Sequence, residues 1–353
     1  MGRSIGRASL LGVGALLLPV ALAGCGGQPT TTVVTTTTVA ATTTTTTLPS
    51  SVGVGGTSPT GAMSFLGQIQ RVPVVQPILG SALLPPAPTT PGSVLPSVQI
   101  AYRQFGSGPH VLLVMGQRGT MTWWDPQFLS ALSAHFSVTI FDLPGVGYSQ
   151  STPDPPSLST YADETAGLIV ALGLGATPLR VLGWGLGGDV ALLAAIRHPE
   201  LITGLSLVDT PAVGPANVRA SAQATAVFAS ATDTTVRLSE LLFPIDQGVA
   251  RADWLQQIGQ LAPDDETAAA VRQEAQVVAA LATTPDARSE LGAVKIPVQV
   301  IFGADDAVVP SANSVALAHE LSRSKLYSLT DAGYASFESD QARFMTVFSG
   351  ASS

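Results

Sequence analysis

The sequence predicts an α/β fold: a mainly parallel sheet, helices on both faces, and a helical cap inserted late in the order of strands. Three observations carry this. From about residue 94 to the C-terminal end, short apolar runs alternate with helix-patterned stretches, as expected for a parallel sheet buried on both sides. The stretch "VLGWGLGGDV" (181–190) passes from a strand through a tight glycine turn into a helix. Residues 211–285 break the alternation with alanine-rich helical sequence, after which it resumes.

Each element has its own justification. "VQIAYRQF" (98–105) reads as an early strand and "HVLLVM" (110–115) as a buried one. "WWDPQFLSALSAHF" (123–136) reads as a helix, with Asp125 as its cap and Pro126 in the first turn. "SVTIFDL" (137–143) is the next strand. "STYADETAGLIVALGLG" (159–175) is a helix that Thr160 and Asp163 open as a capping-box variant and Gly173 and Gly175 end. "LRVLGW" (179–184), "GGDVALLAAIRHP" (187–199) and "LITGLSLVD" (201–209) follow as strand, helix and strand. Inside the insertion, "LSELLFP" (238–244) and "ADWLQQIGQL" (252–261) read as amphipathic cap helices over a pocket, an apolar pattern that core packing explains equally well. "IPVQVIFG" (296–303), "SANSVALAHELS" (311–322), "KLYSLT" (325–330) and "DQARFMTVFSG" (340–350) complete the alternation.

Composition narrows the function. The 353 residues carry 16 Lys and Arg against 24 Asp and Glu, a net charge of −8, and only 11% are charged. The lysines are Lys295 and Lys325 alone. Nucleic-acid binding, which needs clustered cations, is excluded. The one cysteine, Cys25, rules out an intrachain disulfide. It follows Arg3, Arg7, the apolar "LLGVGALLLPVALA" and "LAGC", the order of a secretory signal ending in a lipobox. Residues 1–24 are therefore expected to be removed and Cys25 to carry a lipid, anchoring the chain to the outside of a bacterial cell membrane. Residues 25–60 read as a threonine-rich flexible tether open to O-glycosylation, and 61–93 as a Pro- and Gly-rich extension. The domain is placed at 94–353, with its cap at about 211–285.

Five stretches in order make the chain resemble the α/β-hydrolase superfamily over roughly 95–349. "GQRGTMTWWDP" (116–126) lies where the oxyanion loop follows the third strand. "FDLPGVGYS" (141–149) fits the D-x-x-G-x-G-x-S turn, and "GWGLGG" (183–188) the nucleophile elbow. "IPVQVIFGADDAVVP" (296–310) fits the strand and loop of the triad acid, which maps to Asp306. "DAGYASFES" (331–339) fits the stretch bearing the triad base. The resemblance implies an esterase- or lipase-like chemistry of serine, histidine and acid.

Two positions depart from it. Gly185 stands where the nucleophile belongs and Tyr334 where the base belongs. Glycine has no atom to attack with. A phenol, with a pKa of about 10 against about 6.5 for imidazole, costs about 4 kcal/mol to ionise at pH 7. No residue is therefore assigned as catalytic, and Gly185, Asp306 and Tyr334 form a degenerate triad. The four histidines (His110, His135, His198 and His319) sit at strand starts or in helices, away from the carboxyl ends of the strands where ligands bind. Asp142, Asp209 and Asp306 each follow a strand at that edge, but no compact acidic motif implies a metal, and no cofactor is implied. Tyr334 is expected to donate its hydroxyl to Asp306.

The turn keeps backbone N–H groups near Leu186 and Gln117 for an anion or carbonyl oxygen, with Trp184 and Arg118 beside them. The expected function is a lipid-anchored pseudo-hydrolase that binds a small apolar or acyl ligand, or a protein partner. Two alternatives stand beside it. One is an active esterase-like enzyme using Ser336 or Thr120; the other is a structural envelope protein whose pocket is filled by side chains.

Overall fold

The computed structural model describes residues 65–74, 97–152, 156–232, 234–261, 267–281 and 290–350. The signal segment, Cys25 and the threonine-rich tether lie outside the described residues. Eight strands form one sheet in the order β1-β2-β4-β3-β5-β6-β7-β8. The first three are β1 (Gln70–Val74), β2 (Val98–Gly106) and β3 (His110–Val114), followed by β4 (Ser137–Phe141). β5 (Leu179–Trp184), β6 (Gly204–Val208), β7 (Val298–Gly303) and β8 (Ser324–Leu329) complete it. β1 pairs antiparallel with β2, and β2 with β4; every other pairing is parallel. Part of the 61–93 extension thus joins the sheet as its edge strand.

Two apolar layers cover the sheet. On one face lie α2 (Leu158–Ala171), α3 (Leu186–Arg197) and α8 (Ala312–Glu320). On the other lie α1 (Pro126–Ser133), the short α9 (Ser336–Ser339) and α10 (Gln341–Phe348). The central strands have side chains buried on both faces because each crossover helix returns across the sheet. α1 starts where the sequence places it: the Asp125 carboxylate accepts from the N–H groups of Gln127 and Phe128, and Pro126 opens the helix. α2 differs. Its cap is Ser157, whose hydroxyl accepts from Thr160 N–H, while Asp163 is drawn away by stronger partners. Arg197 of α3 grips Asp163 with two hydrogen bonds of 2.7 and 2.6 Å, and His198 Nε2 lies 3.1 Å from the same carboxylate. A bidentate guanidinium outcompetes one backbone N–H, so Asp163 ties α2 to α3.

Between β6 and β7 come α4 (Ala222–Ala229), α5 (Thr235–Leu242), α6 (Gly248–Ile258) and α7 (Ala268–Leu281). This is the helical insertion read in the sequence. α5 and α6 pack into the core: Leu238, Leu242 and Trp254 are buried, and Trp254 meets Trp123 edge-on at 5.4 Å. The apolar faces of "LSELLFP" and "ADWLQQIGQL" are thus core faces, and α4 and α7 supply the walls of the cavity described next.

Candidate functional site

The parallel pairing brings the carboxyl ends of β3, β5, β6, β7 and β8 together, and the loops that follow them supply the site. Gln117 and Arg118 follow β3, Gly185 follows β5, Asp209 follows β6, Asp306 follows β7 and Tyr334 follows β8. The elbow has its strained geometry: Gly185 sits at φ 54°, ψ −121°, a region almost reserved for glycine. Its N–H donates to Val208 O across the sheet at 2.9 Å. Gly187, the second residue of α3, lets the helix touch β3, since an added Cβ would lie 2.2 Å from Val114 O.

Tyr334 decides what this elbow can hold. A Cβ added at Gly185 would lie 1.8 Å from the Tyr334 phenol oxygen and 2.8 Å from its Cζ. The phenol therefore occupies the volume that any side chain at 185 would enter. Its ring is 3% exposed and packs on Trp184 at 5.1 Å and edge-on against Phe228 at 5.8 Å. Trp184 Nε1 donates to Tyr334 O at 2.7 Å, fixing the loop that carries the ring. Burial pushes the phenol well above its ordinary pKa, and the surrounding Asp306, Asp209, Asp189 and Glu274 push it further. Tyr334 is neutral and a hydrogen-bond donor at neutral pH.

The expected hydrogen bond from Tyr334 to Asp306 is not formed. Asp306 Oδ1 accepts from the N–H groups of Val308 and Val309 at 2.7 and 2.9 Å, and its buried Oδ2 has no hydrogen-bond partner among the described residues. The phenol has turned to the vacant elbow instead, because hydrogen at 185 leaves room there. Burial raises Asp306 to about 7 against the two N–H groups that lower it. Asp209 lies beside it at φ 46°, accepting from Gly303 N–H at 2.8 Å and Ser336 N–H at 3.2 Å. Burial first, and then the neighbouring Asp306 charge, lift Asp209 well above the carboxylate range. Asp142 is structural: it accepts from Met121 N–H at 2.6 Å and Tyr148 N–H at 2.9 Å, holding the oxyanion-type loop on the β4 turn. Among the described residues, no group of three or more His, Cys, Asp or Glu is placed to hold a metal ion.

A cavity of about 250 Å³ opens over this point. Gln117, Leu186 and Tyr334 form its inner end, and Phe228, Val278, Val308 and Val309 supply apolar wall. Leu186 opens α3, so its N–H has no acceptor within the helix. Asn313 braces the rim: its Oδ1 accepts from Ala212 and Val218 N–H, and its Nδ2 donates to Val218 O and Pro310 O. Trp184 does not line the cavity but packs on the Tyr334 ring that does.

Arg118 does not line the cavity. It is 8% exposed, and its guanidinium donates to Val227 O and Ser230 O at the end of α4. Its own N–H, presented at φ 71°, donates to the buried Glu274 carboxylate of α7 at 2.7 Å. Arg118 and Glu274 thus fasten the loop after β3 to the cap, a role that no local motif in the sequence announces. Thr120 is buried and engaged with Thr122 Oγ1 at 2.7 Å, and Ser336 is wholly buried beside Asp209. Neither lines the cavity, and none of the four histidines does.

The model of the α/β hydrolase fold matches residues 109–341. The chain belongs to the α/β-hydrolase family. A protein from Serratia proteamaculans named as a carbamate hydrolase is 30% identical over 251 residues, covering 69% of this chain and 90% of that relative. A pimeloyl-[acyl-carrier protein] methyl ester esterase of Neisseria meningitidis is 32% identical over 225 residues, covering 62% of this chain and 68% of its own. Among solved structures, a thermophilic esterase from Thermogutta terrifontis superposes with a TM-score of 0.59 at 25% identity, covering 80% of this chain and 97% of that one. Within this family the strand order, the elbow and the acid loop are thus accounted for, with Gly185 in the elbow and Tyr334 in the loop after β8.

Proposed function

We propose that the chain is a lipid-anchored, extracytoplasmic member of the α/β-hydrolase family that lacks serine-hydrolase chemistry and holds a small apolar or acyl-bearing ligand. The observation that carries this reading is the phenol of Tyr334 standing in the space a nucleophile at 185 would need. Removing nucleophile or base from a triad costs on the order of 10⁴–10⁶ in turnover, and here both are replaced. A neutral buried phenol cannot take a proton as imidazole does. What remains is a cavity with apolar walls and, at its inner end, hydrogen-bond donors from Tyr334 and the start of α3. That arrangement suits a carbonyl oxygen on an apolar body. An open cavity of this size also speaks against a purely structural role.

The relatives named as a carbamate hydrolase and an ester esterase favour a second reading, an active hydrolase with an unusual nucleophile. One experiment separates the two. The purified wild-type protein is treated with a fluorophosphonate probe and assayed on short p-nitrophenyl esters, and native mass spectrometry looks for a retained ligand. No label, no turnover and a retained apolar molecule are expected; a labelled serine or threonine establishes the hydrolase. The anchor is tested by replacing Cys25 with serine, which is expected to release the protein from the membrane fraction.

A further inference from the structure

A second cleft lies at the opposite edge of the sheet, where the parallel strands begin. It measures about 420 Å³ and is lined by Arg180, Arg323, Lys325 and His110, with Gly204 and Phe136 among its other residues. No Asp or Glu lines it. That is informative in a chain with 16 Lys and Arg against 24 acidic residues. Among the described residues, none of these cations forms an ion pair; those present are Arg197 and His198 with Asp163 and Arg237 with Glu240.

Sheet register places two of the cations on one face. Ser206 stands opposite Gln299, and Gln299 opposite Lys325. The Ser206 hydroxyl donates to Gln299 Oε1 at 2.9 Å, so this row shares one face. Arg180 stands opposite Gly204, two residues before Ser206 and so on the same face. Arg180 and Lys325 thus flank a floor made by Gly204, where an added Cβ would meet only Pro297 O, at 3.9 Å. Arg180 is positioned by the Phe348 carbonyl and by the Phe348 ring, 4.9 Å from its guanidinium carbon. Arg323 donates to Lys295 O at 2.7 Å. Each of these two is held by a backbone carbonyl, which steadies a guanidinium without neutralising it. Burial lowers the Arg180 pKa with no neighbouring carboxylate to offset it.

We propose that this cleft binds a multivalent oxyanion of the phosphate class, independently of the cavity at Tyr334. A compact anion with several acceptors suits three cations around an open floor, and among the described residues no carboxylate is paired with them. The test uses the full chain and inorganic pyrophosphate, by calorimetry at low ionic strength. Lys325→Glu and Gly204→Glu are each expected to weaken binding at least tenfold, because one reverses a wall charge and the other sets a carboxylate on the floor. Gly204 has no left-handed backbone to strain, and an unchanged melting temperature shows that each variant is folded. Arg237→Glu, a cation of α5 outside the cleft, is expected to leave binding unchanged. Absence of pyrophosphate binding to the wild type overturns the proposal, as does an equal loss in all three variants. Flotation with phosphatidylglycerol vesicles, against phosphatidylcholine, identifies the source. Lys325-dependent capture supports a lipid headgroup, whereas pyrophosphate binding without capture supports a free phosphate.

Discussion

Gly185→Ser is the change that would restore the nucleophile, and the structure predicts that alone it damages the protein. The new Cβ would sit 1.8 Å from the Tyr334 oxygen, far inside van der Waals contact, so the ring must leave a site packed by Trp184 and Phe228. Forcing a core side chain aside costs about 1–3 kcal/mol. A non-glycine residue in the elbow conformation adds about 1–3 kcal/mol. Together, a middle value of about 4 kcal/mol lowers the melting temperature by roughly 8–16 °C at the 2–4 °C per kcal/mol of domains somewhat smaller than this one. Replacing Tyr334 with histidine removes the clash, so the double variant is expected to melt above Gly185→Ser. The coupling between the two sites should be on the order of 1–3 kcal/mol, the range for residues in direct contact. Thermal melts of wild type, both single variants and the double variant close the cycle. Additive changes, or a Gly185→Ser protein melting within a degree of wild type, would refute the claim that phenol and side chain compete for one space.

Other outcomes follow from the same contacts. Gly185→Ser combined with Tyr334→His is expected to gain measurable p-nitrophenyl ester hydrolysis where wild type has none, read by release of nitrophenolate. Glu274→Ala leaves the buried Arg118 N–H without its charged acceptor, a loss of roughly 1.5–3 kcal/mol; limited proteolysis should then cut within the cap sooner. Asp306 is raised to about 7 in the fold from the ordinary 3.8, so the folded chain keeps a proton that the unfolded chain has released between those values. Stability therefore falls as pH rises from about 4 to 7. Asp306→Asn should flatten that part of the curve, as measured by urea midpoints across the range.

Much of the fold was legible because its signals are local. The strand runs, the Asp125–Pro126 start of α1 and the glycine elbow each declare themselves within a few residues. The break at 211–285 marked the cap, since alanine-rich helix cannot extend a sheet. The site positions were read by resemblance, and Gln117, Leu186 and Tyr334 line one cavity. What stayed hidden depends on distant partners. Asp163 looked like a capping residue until Arg197, 34 positions away, claimed it. Arg118 was read as lying beside the ligand, and the partners that hold it in the fold, Val227, Ser230 and Glu274, lie more than a hundred residues along the chain. The direction of the Tyr334 hydroxyl followed from room made by an absent side chain, which no pattern of present residues encodes.

The saturated amide of Asn313 carries a consequence for how anything reaches the inner chamber. All four of its hydrogen bonds are spoken for, binding the start of the insertion to the loop before α8. A guest cannot gain passage by peeling back residues 212–218 without stranding three of those bonds at once. Ala224 of α4 and Ala275 of α7 leave the cavity lined by small side chains on that side, so bulk introduced at either is expected to slow exchange more than it weakens retention.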